Sequence, residues 1–145
     1  MIREITSKDI PVLLVYGKHF WKLTPYVSAG IEYNEDAVRE LLQELAEEHY
    51  LRVAEEDGKI IGFVGAMIVP MIFNPKVSVA TEVFFFVHPD FRGATGSALM
   101  DQLEKDLEDQ VDLVSFGEMT SSTDMHDYYI DRGYSHTETT YAKAL

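Results

Sequence analysis

Residues 77–97, VSVATEVFFFVHPDFRGATGS, decide how the chain folds. The first eleven, residues 77–87, are apolar at both odd and even positions, which predicts a central strand covered on two faces. Pro89 ends it. From Thr95 or Gly96 to Gln110 the pattern changes period: Leu99, Met100, Leu103 and Leu107 fall on one side and acids on the other, as in an amphipathic helix. The turn between carries Gly93, Ala94, Gly96 and Ser97. Small residues there let a ligand approach a helix N-terminus, whose unpaired N–H groups and positive dipole end bind phosphate. An ordinary strand-to-helix turn accounts for the same residues. No Gly-Lys-Ser/Thr closes the turn as in a P-loop, and it is not a G-x-G-x-x-G dinucleotide fingerprint.

Upstream, LRVAEE, Asp57-Gly58 and IIGFVGAMIV read as strand, tight turn and strand, a β-hairpin that the Asn74-Pro75 break separates from the long strand. Residues 2–6 alternate like a short strand. Ser7 stands where a helix N-cap belongs, with Pro11 tolerated in the first turn and Ile10, Leu13, Leu14 and Gly17 on one face. After His19, FWKLTPYVSAGIEY has no steady period and reads as an aromatic-rich loop or broken helix. Asn34 caps a second helix that turns Val38, Leu41, Leu42 and Leu45 inward. Downstream, residues 112–118 are strand-like and 123–131 helix-like, Gly133 suits a position just past a helix, and 137–145 read as a last strand. The order β α α β β β α β α β, without repeat or linker, predicts one α/β domain over residues 1–145, built on a mostly antiparallel sheet.

Composition narrows the chemistry. The 145 residues include 12 Lys plus Arg, 25 Asp plus Glu and no Cys, for a net charge of −13. A chain of this length buries roughly 68–70% of its unfolded surface, enough for a core without disulfides. Lack of cysteine removes thiol nucleophiles and thiolate metal sites. The negative charge opposes nucleic acid and suits a cationic or amine-bearing partner. The longest apolar run, residues 60–73, is broken by Gly62, Gly65 and Pro70 and is too short to span a bilayer. The N-terminus has no apolar core of a secretory signal, so a soluble cytoplasmic protein is expected. His126-Asp127 has no ligand partner one turn on, and no metal is expected.

Two further runs stand together with this order of elements: Val87, Pro89, Phe91, Arg92, Gly93, Gly96, Ala98 and Leu99 across the strand, turn, glycine loop and helix, and Tyr128, Tyr129, Gly133 and Tyr134 before the closing strand. The first is similar to the signature, and the second to the other hallmark, of the GNAT superfamily of acyl-CoA-dependent N-acetyltransferases, which the chain resembles. The close resemblance covers residues 60–145; earlier residues match in element order. The IFNP before the long strand and the ending ETTYAK, residues 138–143, are similar to bacteriophage-type members. GATGS after Arg92 is one residue shorter than the family's loop, and Ser122 stands where many members carry Asn.

The resemblance implies helices on both faces of the sheet, a V-shaped opening between the fourth and fifth strands, and acetyl transfer from acetyl-CoA to a primary amine by direct attack in a ternary complex. It places the coenzyme along Val87 and His88, its pyrophosphate on the amides of Arg92, Gly93, Ala94, Thr95, Gly96 and Ser97, and a polar contact at Ser122. Tyr129 becomes the acid for the leaving thiolate, although Tyr128, Tyr129 and Tyr134 also fit as packing aromatics. Glu82 becomes the base, or else an ordinary glutamate reaching solvent. The base of histone-type members lies six residues before the strand's terminal Val, and Glu82 lies five before Val87. Side chains alternate along a strand, so this offset turns the carboxylate to the other face unless a β-bulge intervenes. Glu118 is the reserve base, ahead of His88 and His126. The aromatics between Phe20 and Tyr33 suit an acceptor-side wall. The acceptor is a small molecule, a Lys side chain or a protein N-terminus, including a host or phage protein in a bacterial cytoplasm, and a homodimer is compatible with the family. The rival from another class is a non-catalytic module that senses acyl-CoA or binds a protein partner.

Overall fold

The computed structural model describes residues 1–119 and 124–145. The deciding stretch forms strand β4 (Asn74–Val87), a short 3-10 turn (Pro89–Phe91) and helix α3 (Ala94–Leu107). Before them come β1 (Ile2–Glu4), α1 (Ile10–Lys22), α2 (Glu35–Glu48), β2 (Tyr50–Glu56) and β3 (Lys59–Met71). After them come β5 (Leu113–Ser115) and α4 (His126–Asp131). Asp57 and Gly58, at φ 49° and 75°, make the turn between β2 and β3, the left-handed pair a two-residue hairpin demands.

The five strands lie in sequence order, β1-β2-β3-β4-β5, antiparallel until β5 joins β4 in parallel. Helices cover both faces. Leu13 and Leu14 of α1 and Leu42 and Leu45 of α2 pack with Val53, Phe63 and Phe86 on one face. Leu99, Leu103 and Leu107 of α3 pack with Val64, Ala66 and Ala80 on the other. Leu13, Leu45, Phe63, Val64, Leu99 and Leu103 are fully enclosed. Burial of each such side chain contributes about 1.5–3 kcal/mol, so two apolar layers rather than any crosslink hold the sheet.

Several expectations need correction. The first helix starts after Asp9, not Ser7. The Asp9 carbonyl accepts from Val12 and Leu13, while its carboxylate takes Arg3 at 2.8 Å and the Thr6 N–H at 2.6 Å. Arg3 also holds Glu55, so one guanidinium ties β1, β2 and the start of α1 together. That guanidinium, with the Thr6 bonds, holds Asp9 down at about 2. Helix α1 runs beyond His19 through Phe20 and Trp21 to Lys22 before the loop begins. β4 starts at Asn74 because the hairpin turns at Ile72 and Phe73. Residues 75–77 drop out of register there, where the missing N–H of Pro75 breaks no ladder bond. β5 has three residues rather than seven. The expected last strand, residues 137–145, takes no strand structure and lies exposed. A strand needs an edge to pair with, and β5 offers a very short one.

Asn34 does cap α2, its Oδ1 accepting the Ala37 N–H at 3.0 Å. Among the described residues no helix is long and apolar enough to cross a membrane.

Candidate active site

β5 pairs with β4 only from Val79–Leu113 to Thr81–Ser115. Beyond that point the strands part, which leaves the far edge of β4 open from residue 82 to its end. The expected opening between the fourth and fifth strands is therefore present. On the other edge of β4 the pairing with β3 jumps from Gly65–Phe84 to Ala66–Glu82, so Val83 is the extra residue of a β-bulge. Val83 and Phe84 both pack toward the α1/α2 face, and Phe85 and Val87 toward α3. The bulge thus moves Glu82 onto the face of Val87 and Ala66, the side that simple alternation denies it.

Glu82 stands at the apex, half-buried. Its Oε2 accepts the Gly117 N–H at 3.2 Å, a side-chain bond where the strand pairing has stopped. Burial pushes the carboxyl up to about 7, against the lowering effect of that bond. The Gly117 carbonyl accepts from the Tyr129 hydroxyl at 3.4 Å, so the backbone of one residue, through its N–H and its C=O, joins Glu82 to Tyr129. Burial first, then the charges of Glu82 and Glu118, raise the Tyr129 phenol above its ordinary value. Tyr129 keeps its proton throughout the physiological range. Phe116 fixes this wall, stacking on Tyr129 at 5.9 Å and meeting Phe85 and Tyr134 edge-on at 5.4 and 5.8 Å. The sequence leaves the place of the bulge at Val83 open, and Gly117, inside the strand-like run 112–118, carries no mark of its role there.

The end of β4 carries the remaining residues. The His88 N–H is given to Ile61 O at 2.8 Å. By strand alternation the Val87 N–H and C=O then point away from β3, toward the open side. The His88 ring accepts from the Asp90 N–H and lies edge-on to Phe91. Gly93 precedes α3 at φ +94°, with open space where a Cβ would stand. Ser97 N–H bonds Gly93 O at 3.1 Å, and its Oγ meets the Tyr128 hydroxyl at 2.7 Å. The first-turn amides that the helix itself leaves without an intrahelical acceptor are those of Gly93, Ala94, Thr95 and Gly96, whereas that of Ser97 is taken by Gly93 O. Arg92 is exposed beside them. These amides, the exposed guanidinium and the strand edge suit a pyrophosphate joined to an amide-bearing arm.

Glu118 is exposed and its Oε1 accepts the Met125 N–H at 2.7 Å. His126 packs edge-on against His136. Ser122 lies outside the described residues. On the opposite face of the sheet, Phe20, Trp21, Tyr26 and Tyr33 line a cavity of about 330 Å3 that also reaches Phe84 and Met119. Among the described residues the one cluster of potential metal ligands is Glu44, Glu48 and His49 at the end of α2, where His49 Nδ1 accepts the Ile68 N–H.

The fold recurs in solved structures. A predicted acetyltransferase with acetyl-CoA from Clostridium acetobutylicum is 17% identical, with 99% of this chain and 94% of that one covered at a TM-score of 0.73. A ribosomal-protein-alanine N-acetyltransferase from Brucella melitensis biovar Abortus is 17% identical over 100% and 99% of the chains, TM-score 0.73. A transcriptional regulator from Bacillus halodurans is 18% identical over 100% and 99%, TM-score 0.74. At such identities the likeness is one of fold. No curated protein matches the sequence. The profile of the acetyltransferase (GNAT) family matches residues 18–134, most of the chain. The chain therefore belongs to the GNAT family and is an N-acetyltransferase.

Proposed function

We propose that the chain transfers the acetyl group of acetyl-CoA to a primary amine by direct attack, with donor and acceptor held together in the β4–β5 opening. The observation that carries this reading is Glu82, a half-buried carboxylate at the apex whose proton affinity is poised at about 7. A base matched to neutral pH is what deprotonation of an attacking amine requires.

The coenzyme supplies a thioester-activated acetyl group. The amides of Gly93 to Gly96 bind its pyrophosphate, and the Val87 N–H bonds the arm or the thioester carbonyl. Glu82 takes a proton from the amine, directly or through water. As the amine nitrogen bonds to the carbonyl carbon and the carbon–sulfur bond breaks, Tyr129 supplies a proton to the sulfur. An ordinary phenol near 10 gives its proton to a thiolate near 8.5 at a cost of about 2 kcal/mol. Here the Glu82 charge raises the phenol further. Protonation of Glu82 removes that charge, so the base step makes Tyr129 a better acid for the next one.

The phage-like ending, residues 138–143, supports a working place in a bacterial cytoplasm, with a small amine, a Lys side chain or a protein N-terminus as acceptor. Release of free thiol from acetyl-CoA in the presence of primary amines tests the reading. Tyr129→Phe is expected to lower kcat about tenfold to a hundredfold and leave acetyl-CoA affinity within twofold. Unchanged kcat removes Tyr129 from the acid role. Acetyl-CoA binding without any thiol release favours the sensing module instead.

A further inference from the structure

We infer that the cavity between α1, α2 and the Phe84 face of β4 holds a small primary amine with an apolar or aromatic body; this rests on the acetyl-transfer reading and names its acceptor class. The cavity measures about 330 Å3, within the range of roughly 300–1,000 Å3 typical of small-ligand sites. Phe20, Trp21, Tyr33, Val38, Leu41 and Phe84 give it apolar and aromatic walls. Its polar atoms are largely spent on the protein itself. Tyr33 hydroxyl donates to Leu14 O at 2.9 Å, Trp21 Nε1 to Ile31 O at 3.2 Å and Thr24 Oγ1 to Trp21 O at 2.7 Å. The Asn34 carbonyl is committed to the cap of α2.

A hydroxyl-rich or polycationic acceptor bound here would leave its own donors without partners, at a cost of about 1–3 kcal/mol for each buried group. A hydrocarbon or aryl body loses nothing by entry. One carboxylate, the exposed Glu32, lies at the wall and attracts a single ammonium. The faces of Trp21 and Tyr33, with centroids 5.9 Å apart, add cation–π attraction. Phe84 of β4 and Met119, four residues past β5, are among its walls, so it borders the two strands that part at the opening, on the face opposite α3. Donor and acceptor thus approach the opening from opposite faces of the sheet.

Trp21 is the chain's only tryptophan, so its emission reads occupancy without any turnover. Titration with 2-phenylethylamine is expected to change that emission saturably, with a dissociation constant at least tenfold below those of spermidine and kanamycin. Ala37→Leu, at an exposed lining position on α2, is expected to weaken 2-phenylethylamine at least fivefold while Tm stays put; Glu32→Ala is expected to weaken it severalfold. Saturable binding without thiol release from acetyl-CoA supports the cavity assignment and rejects the transferase reading. Thiol release with spermidine or kanamycin, while 2-phenylethylamine leaves Trp21 unmoved, upholds the transferase and overturns the cavity assignment. It is also overturned if both variants bind as the parent does. A peptide with N-terminal Phe that binds over tenfold tighter than 2-phenylethylamine overturns it too, because the occupant is then a chain end.

Discussion

Glu82 is held at a cost to the fold, and that cost has a sign. Its carboxyl ordinarily titrates at 4.5 and sits at about 7 in the folded protein. The folded state therefore binds more protons than the unfolded one between these values, and stability falls as pH rises through that window. The penalty is absent below about pH 4 and complete above about pH 7, with a ceiling near 3 kcal/mol at about 1.4 kcal/mol per unit. Glu82→Gln is accordingly expected to be more stable than the parent at pH 8, by up to that amount, and equal to it near pH 4. Activity moves the other way: the ascending limb of the rate near pH 7 disappears, and kcat drops about a hundredfold or more. Denaturant unfolding at both pH values and a pH–rate profile check the two halves. A variant no more stable at pH 8 shows that the carboxylate is not strained; an unchanged profile moves the base to Glu118 or solvent.

The junction of β3, β4 and α3 sets the geometry that makes this residue useful. At Gly62 a Cβ would stand 2.9 Å from Phe86 O and 3.3 Å from a Leu99 methyl. Gly62→Ala must push β3 away from β4 and α3, and the overpacking is expected to cost about 1–3 kcal/mol and weaken acetyl-CoA binding. Thermal unfolding and coenzyme titration of the variant check this, and parental values for both refute it. Much of this architecture was legible in residue patterns. The apolar run into Pro89, the leucines of α3, Asp57-Gly58 and the Asn34 cap each encode their element locally. Less legible were features that depend on partners. The Val83 bulge is settled by how β3 and β4 register, and no residue type at 83 announces it. That one residue decides which face Glu82 occupies. Residues 137–145 carry strand-like alternation without a paired edge to join, and Ser7 lost the cap to Asp9 because Arg3 and Thr6 draw that carboxylate into place. The meeting of Glu82 and Tyr129 on the Gly117 backbone is long-range, and no local residue pattern encodes it.

Across the whole molecule, the net charge of −13 acts differently on the two substrates. A cationic amine is drawn in and an anionic coenzyme is opposed, and salt screens both effects, with a Debye length of about 10 Å at 0.1 M. Raising ionic strength from 0.02 to 0.3 M is expected to lower kcat/KM for the amine and raise it for acetyl-CoA. Equal responses would show that the binding sites are shielded from the global field. Every step proposed for Glu82 and Tyr129 requires that the β4–β5 opening and the first turn of α3 bind acetyl-CoA. Thermal unfolding with and without acetyl-CoA tests that requirement most directly. A ligand confined to the native state adds about 2.7 kcal/mol at a hundred times its dissociation constant, which for a chain of this length raises Tm by roughly 5–10 °C. A rise of that order, saturating with coenzyme, is the predicted result; a Tm unmoved by millimolar acetyl-CoA would contradict the account.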